Sequence, residues 1–170
     1  MNSNNYTGNR NQPRNSGAHY GGGSGRNGGY PQGESSSEPL PELRITEDSY
    51  VDDAEKVIVY LEKNFGRDKL ITTSQLRNIL SMAADIYNQL MTTESQGDTL
   101  AGDLAQRIDY LRVRCVYASG RDRNVKRFLE VSKLVEQIRK IGGSRKGFML
   151  FYRYMEALVA YNSFHGGKDN

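Results

Sequence analysis

From Ala54 to Phe164 the apolar residues recur every three or four positions, and no stretch between turn signals alternates strictly in twos. That spacing builds helices with one buried stripe and excludes a sheet with one wet face. Five segments carry it. The first runs over 51–64, where Ala54, Val57, Ile58, Leu61 and Phe65 share a stripe. Asp52, Asp53 and Glu55 fall in its first turn, where the helix dipole favours anions, and Gly66 stops it. The second opens at Thr72 or Thr73, either of which can cap it, and fades near Glu94. Its apolar face is Leu76, Ile79, Leu80, Ala83, Tyr87, Leu90 and Met91. After a turn at 95–98, the third runs from about Thr99 to Gly120, with Leu100, Leu104, Ile108, Leu111, Cys115 and Ala118 inward. The fourth spans 122–141 with Val125, Phe128, Leu129, Ser132, Val135 and Ile138 inward, and Gly142-Gly143 ends it. The fifth spans 145–164 and is apolar almost all round, with Phe148, Phe151, Tyr152, Met155, Leu158 and Val159 prominent, so it is expected at the centre. The expected fold is all-α, a compact bundle of about five helices.

Residues 1–48 differ in kind. They hold all four prolines and half of the 18 glycines but almost no aliphatic side chains. Such a segment buries too little apolar area to offset the entropy of ordering, so a disordered N-terminal tail is expected, followed by one helical domain over 49–170. Arg10, Arg14 and Arg26 stand among glycines and tyrosines there, a faint likeness to Arg/Gly-rich RNA-binding segments. A solubilising extension explains the same composition. The polar start has no apolar signal core, and no apolar run approaches membrane-spanning length, so a cytoplasmic protein without membrane contact is expected.

The net charge of +3 conceals a polarised chain. Residues 34–106 hold fourteen acids and six bases, whereas 107–153 hold thirteen bases and four acids. Separate charge blocks point to separate partners, here RNA phosphate for the basic half and protein neighbours for the acidic half. Within the basic half, Arg107, Arg114 and Arg121 are spaced by seven, as are Lys126, Lys133 and Lys140. On continuous helices each set would lie along one face at intervals of about 10 Å, suited to backbone phosphates and not to base edges. Arg112, Arg123 and Arg127 add charge beside these rows. Arg145 and Lys146, in the turn from Gly142 to Gly147, could hold a further phosphate at a helix N-terminus, or the turn could simply end one helix and begin the next.

Signs of catalysis or metal binding are lacking. The two histidines, His19 and His165, lie near opposite ends, and the single cysteine, Cys115, sits on an apolar stripe. No cofactor and no small-molecule substrate is expected. Glu156, alone in an apolar helix, is expected to be buried in an ion pair with Arg153, Arg77 or Arg114 that fixes helix register.

Four blocks of residues carry a family resemblance. They are 72–80 (TTSQLRNIL), 110–121 (YLRVRCVYASGR), 128–131 (FLEV) and 151–161 (FYRYMEALVAY). In this order, over about 54–161, they resemble the small subunit of the type III-A CRISPR effector, the Csm complex. The resemblance implies an all-helical, non-catalytic subunit, stacked head to tail in several copies beside other Csm subunits. It implies basic side chains lining the CRISPR RNA–target RNA duplex, and a role in antiviral defence. Arg77, Arg112, Arg114, Arg121 and Arg153 lie in the matched blocks, with Arg114 and Arg121 the foremost candidates for RNA. Lys126, Lys133 and Lys140 rest on helical spacing alone. Two rivals stand beside this reading. One is a helical adaptor that binds only protein. The other is a small helical nuclease, which would need clustered acids that the basic half does not offer.

Overall fold

The computed structural model describes residues 38–93 and 97–167. Among these residues it contains six α-helices and no strand: α1 (Tyr50–Phe65), α2 (Thr73–Thr92), α3 (Gly102–Arg121), α4 (Arg123–Val131), α5 (Leu134–Lys140) and α6 (Arg145–Phe164), with a 3-10 turn at Arg67–Lys69. The all-α bundle expected from the periodicity is what forms. The expected disorder over 1–37 falls outside the described residues. Residues 38–48, assigned to the tail by composition, lie against α1: Ile45 is buried, and the Tyr60 hydroxyl donates to the Glu38 carbonyl at 2.9 Å.

Local chemistry sets the helix ends. Thr72 caps α2 in a reciprocal box: its hydroxyl accepts the Gln75 N–H at 3.1 Å, and the Gln75 amide oxygen accepts the Thr72 N–H at 3.1 Å. Asp122 sits in extended conformation between α3 and α4 and accepts the N–H groups of Asn124 (2.7 Å) and Val125 (3.0 Å). Those bonds, the Val125 N–H foremost, hold its carboxyl below the usual range against the opposing effect of burial. Ser144 caps α6 through the Gly147 N–H at 2.9 Å.

α6 packs against α1, α2 and α5 and is the central helix, as expected. Phe148, Phe151, Tyr154, Met155, Leu158 and Asn162 are buried along it, and Tyr152 stacks on Tyr87 of α2 with centroids 4.4 Å apart. It is not apolar all round. Arg153, Glu156 and Ala160 fall on one solvent-facing row, because steps of three and four residues return to the same side of a helix. The expected core ion pair of Glu156 is therefore absent: Glu156 is exposed, and Arg153 reaches Glu47 at 2.7 Å instead. The buried carboxylate is Asp53, 1% exposed. On α2, Met91 faces solvent and Ile86 takes a place in the core.

The expected fourth helix is two helices. α4 ends at Val131 and α5 starts at Leu134, and between them Lys133 adopts the left-handed conformation (φ 53°, ψ 27°). The buried Tyr154 hydroxyl donates to the Ser132 carbonyl at 3.0 Å, so the break has a partner on α6. A non-glycine residue in this conformation costs about 1 kcal/mol, partly offset in a glycine by unfolded-chain entropy. Lys133→Gly is expected to raise the thermal midpoint by a few degrees, measured by circular dichroism. A fall in the midpoint would show that the lysine side chain itself stabilises the break.

Candidate nucleic-acid interface

α3 is continuous over Gly102–Arg121, so the seven-residue spacing of Arg107, Arg114 and Arg121 does place them along one face. All three are exposed. Arg107 donates to the side-chain oxygen of Gln89 on α2. Arg114 has no hydrogen-bond or ion-pair partner among the described residues. Arg121 donates to the Tyr117 hydroxyl at 3.2 Å, and its guanidinium lies 5.6 Å from that ring's centroid.

Two tyrosines complete the row. Tyr110 and Tyr117 are also seven apart, and they fall between the arginines at steps of three and four: Arg107, Tyr110, Arg114, Tyr117, Arg121. Both are well exposed, at 60% and 57%. The charge count alone does not find them. Their spacing relative to the arginines is the signal that was present in the sequence. The opposite side of α3 holds Leu104, Ile108, Leu111 and Cys115 in the core. Burial pushes the Cys115 thiol up to about 12, which makes it a small hydrophobe and not a nucleophile.

The other predicted cations do not join this row as one track. Lys126, Lys133 and Lys140 do not lie along one continuous helix, because α4 ends at Val131 and α5 begins only after the left-handed Lys133. Lys126 lies 4.0 Å from Glu130, and Lys140 lies 3.0 Å from Glu136, whose carboxyl it holds below the usual range. Arg112 pairs with Asp109 at 3.1 Å. Arg127 stacks its guanidinium 4.6 Å from the centroid of Phe65 on α1, a packing role. Arg123, next to the α3–α4 junction, is exposed.

Arg145 and Lys146 belong to a separate cluster. Arg145 donates to the Leu90 carbonyl at 3.0 Å, and its own N–H donates to the Asp98 carbonyl at 2.7 Å. The α6 N-terminus is filled by the chain itself: the Asp98 carboxylate accepts from the Ser144 hydroxyl at 2.7 Å and from the Lys146 N–H at 2.8 Å. These two bonds, the hydroxyl's first, hold Asp98 below the usual carboxylate range. A carboxylate thus occupies the place considered for a phosphate, and it clasps the α2–α3 connection to α6. Among the described residues no group of three or more His, Cys, Asp or Glu side chains could hold a metal ion. None of the described helices is long and apolar enough to cross a membrane.

The family model described as Csm2 Type III-A matches residues 50–168, which include every helix. This chain belongs to the Csm2 type III-A family. A relative named CRISPR system Cms protein Csm2, from Streptococcus thermophilus, is 42% identical over 125 residues, covering 74% of this chain and 98% of the relative. A protein of the same name from Mycobacterium tuberculosis is 40% identical over 127 residues, covering 75% of this chain and 99% of its own. One from Enterococcus italicus is 34% identical over 113 residues, covering 62% and 79%. The resemblance drawn from the four sequence blocks is therefore correct. The α3 row lies wholly inside the Csm2 match, whereas residues 1–49 lie outside it.

Proposed function

We propose that this chain is a non-catalytic small subunit of a type III-A CRISPR ribonucleoprotein. It stacks in several copies and turns the Arg107–Arg114–Arg121 row of α3 toward the backbone of the CRISPR RNA and its target. The observation that carries this is the exposed, in-register basic row on a continuous helix inside the Csm2 match. Three cations about 10 Å apart meet phosphates by charge, without reading sequence. Arg123 and Lys126, just beyond the junction at Asp122, extend the positive surface. The CRISPR setting comes with the relatives' shared name, "CRISPR system Cms protein Csm2", and a role in antiviral defence in the cytoplasm is part of this proposal.

Stacking of like copies needs two unlike faces. The outer row of α1, with exposed Val51, Asp52, Glu55 and Val59, is acidic and apolar, and exposed Arg139 and Lys140 put basic charge at the end of α5. These two helices give the copies a complementary pair of surfaces and leave the α3 row to RNA.

The test is anisotropy of a labelled RNA of roughly 30 nucleotides with the full chain, titrated with salt. Alongside runs the triple variant Arg107→Ala/Arg114→Ala/Arg121→Ala. Each phosphate contact contributes about 0.7 to 0.9 to the slope of log affinity against log salt, so the variant is expected to flatten it by about two. Its thermal midpoint should stay near wild type, because the three side chains are exposed. An unchanged slope would overturn the RNA reading. It would favour the adaptor reading instead, in which partners assemble equally well after nuclease treatment.

A further inference from the structure

We infer that the groove between α2 and α3 takes unpaired nucleotides, with bases stacked on Tyr110 and Tyr117 and phosphates on the flanking arginines. This rests on the RNA reading and deepens it from contact with a duplex backbone to capture of single-stranded bases.

Exposure is the first argument. Buried tyrosines in this fold are fully used: Tyr154 is 0% and Tyr60 7% exposed, each with its hydroxyl bonded to a carbonyl. Tyr110 and Tyr117 instead leave most of their surface to water on a helix whose inner stripe is already complete without them. Their position is the second. Alternation of cation and aromatic along one face is the pattern by which single strands are bound, charge tracking the backbone and rings taking bases. Arg121 fixes the Tyr117 ring through its hydroxyl, which lowers the ordering cost of capture.

The groove beside the row is the third argument. Each tyrosine borders its own cavity, of about 270 Å³ next to Tyr110 and about 250 Å³ next to Tyr117, and Met82 of α2 lies between the two. The groove has two unlike sides: Arg107, Arg114 and Arg121 line it from α3, whereas the polar groups facing it from α2 are unsuited to phosphate. Asp85 lines the first cavity, and Asn78, whose side-chain amide has no hydrogen-bond partner among the described residues, lines the second. A carboxylate repels phosphate but accepts from base amino and imino groups, and an amide can both donate and accept. This orients the strand with bases toward α2 and phosphates toward the arginines. The two rings are separated by about 10 Å along the helix, against about 3.4 Å between stacked bases of a duplex strand. Base faces inside a duplex are also covered by their neighbours, so the ligand is an unpaired, splayed segment.

The experiment uses the full chain, a labelled single-stranded RNA 12-mer and a perfect RNA duplex of the same length. Four proteins are compared: wild type, Tyr110→Leu/Tyr117→Leu, Tyr110→Phe/Tyr117→Phe and Arg107→Ala/Arg114→Ala. Loss of two stacking rings is expected to weaken single-strand binding at least tenfold in the leucine variant, with its salt slope unchanged. The phenylalanine variant should stay within about twofold of wild type, and duplex binding should be the same in all three proteins that keep the arginines. A 2-aminopurine in the 12-mer should be quenched by wild type and not by the leucine variant. Wild-type affinity in the leucine variant, or equal losses for single strand and duplex, overturns the base site. If the arginine variant alone then loses binding, the RNA reading survives without it. If wild type binds neither RNA, both readings fail. Should the leucine variant instead change sedimentation with RNA binding unaltered, the tyrosines, with the neighbouring exposed Val113 and Val116, form a contact between copies, and the inference is overturned.

Discussion

Asp53→Ala is expected to cost about 3 kcal/mol of folding stability, read as a lower urea midpoint at unchanged slope. The carboxylate is 1% exposed and collects four donors: the N–H groups of Ile45 (2.8 Å) and Arg44 (3.1 Å), the Ser49 hydroxyl (3.0 Å) and the Lys56 ammonium (2.8 Å). The two N–H groups decide the size of the effect. They come from the segment before α1, which has no other helix or sheet ladder to satisfy them, and a buried donor left without an acceptor costs about 1 to 3 kcal/mol. The same bonds hold Ile45 in the left-handed conformation (φ 50°) that lets its side chain bury at 5% exposure. Lys56 contributes little, since its side chain is 54% exposed. The control Lys56→Ala should therefore leave the urea midpoint close to wild type. An Asp53→Ala loss no larger than this control would show that the segment before α1 is held by Ile45 packing alone.

The pH dependence of the same variant has a definite sign. Burial alone would raise the Asp53 carboxyl, but Lys56, the Ile45 N–H, Ser49 and the Arg44 N–H together hold it below its usual value of 3.8. A carboxyl lowered by folding stabilises the protein fully above the unfolded value, and that stability is lost as pH falls through the folded one. The gap between wild type and Asp53→Ala should thus be constant from pH 7 to about pH 5 and close below about pH 4. A gap that widens on acidification would mean that the group is not ionised in the folded chain.

These residues also show what could be read from the sequence and what could not. The stripes of α1, α2, α3 and α6 were legible because each is long, has a period near 3.6 and ends at a cap or a glycine. Asp53 was not separable from Asp52 or Glu55: all three are first-turn acids, and only the fold brings the backbone of Arg44 and Ile45 onto one of them. Glu156 misled for the opposite reason. Its sequence neighbours are apolar, but the row it shares with Arg153 and Ala160 is exposed, and Tyr152 and Val159 at the other three- and four-residue steps are only half-buried. The basic row on α3 was legible because α3 is unbroken. The row on 126–140 was not real, because neither glycine nor proline marks the break and a lysine carries the left-handed turn. Tyr110 and Tyr117 were marked in the sequence by their three- and four-residue steps from the arginines, a signal that a charge count passes over, and their exposure then separates them from the core tyrosines.

The break is also where the second large effect is expected. Tyr154→Ala should cost about 3 to 5 kcal/mol, and Tyr154→Phe about 1 to 2. The ring is among the largest fully buried side chains, at the centre of the helix that packs on α1, α2 and α5, so its deletion opens a cavity that the bundle cannot fill by a small shift. The hydroxyl effect is separate. Burial pushes the phenol well above its usual range, so it stays a neutral donor, and its acceptor is the Ser132 carbonyl beside the left-handed Lys133. Without that hydroxyl the carbonyl is stranded in a buried kink, since Ser132 itself is 0% exposed. Tyr154→Phe and Lys133→Gly act on adjacent peptide groups, and their effects should depart from additivity by about 0.5 kcal/mol or more, whereas Tyr154→Phe with Lys56→Ala should add. Urea unfolding of the single and double variants gives both cycles. Strict additivity in the first would separate the hydroxyl from the break and leave the packing of Val131 and Leu134, on either side of it, as the reason that α4 and α5 are two helices.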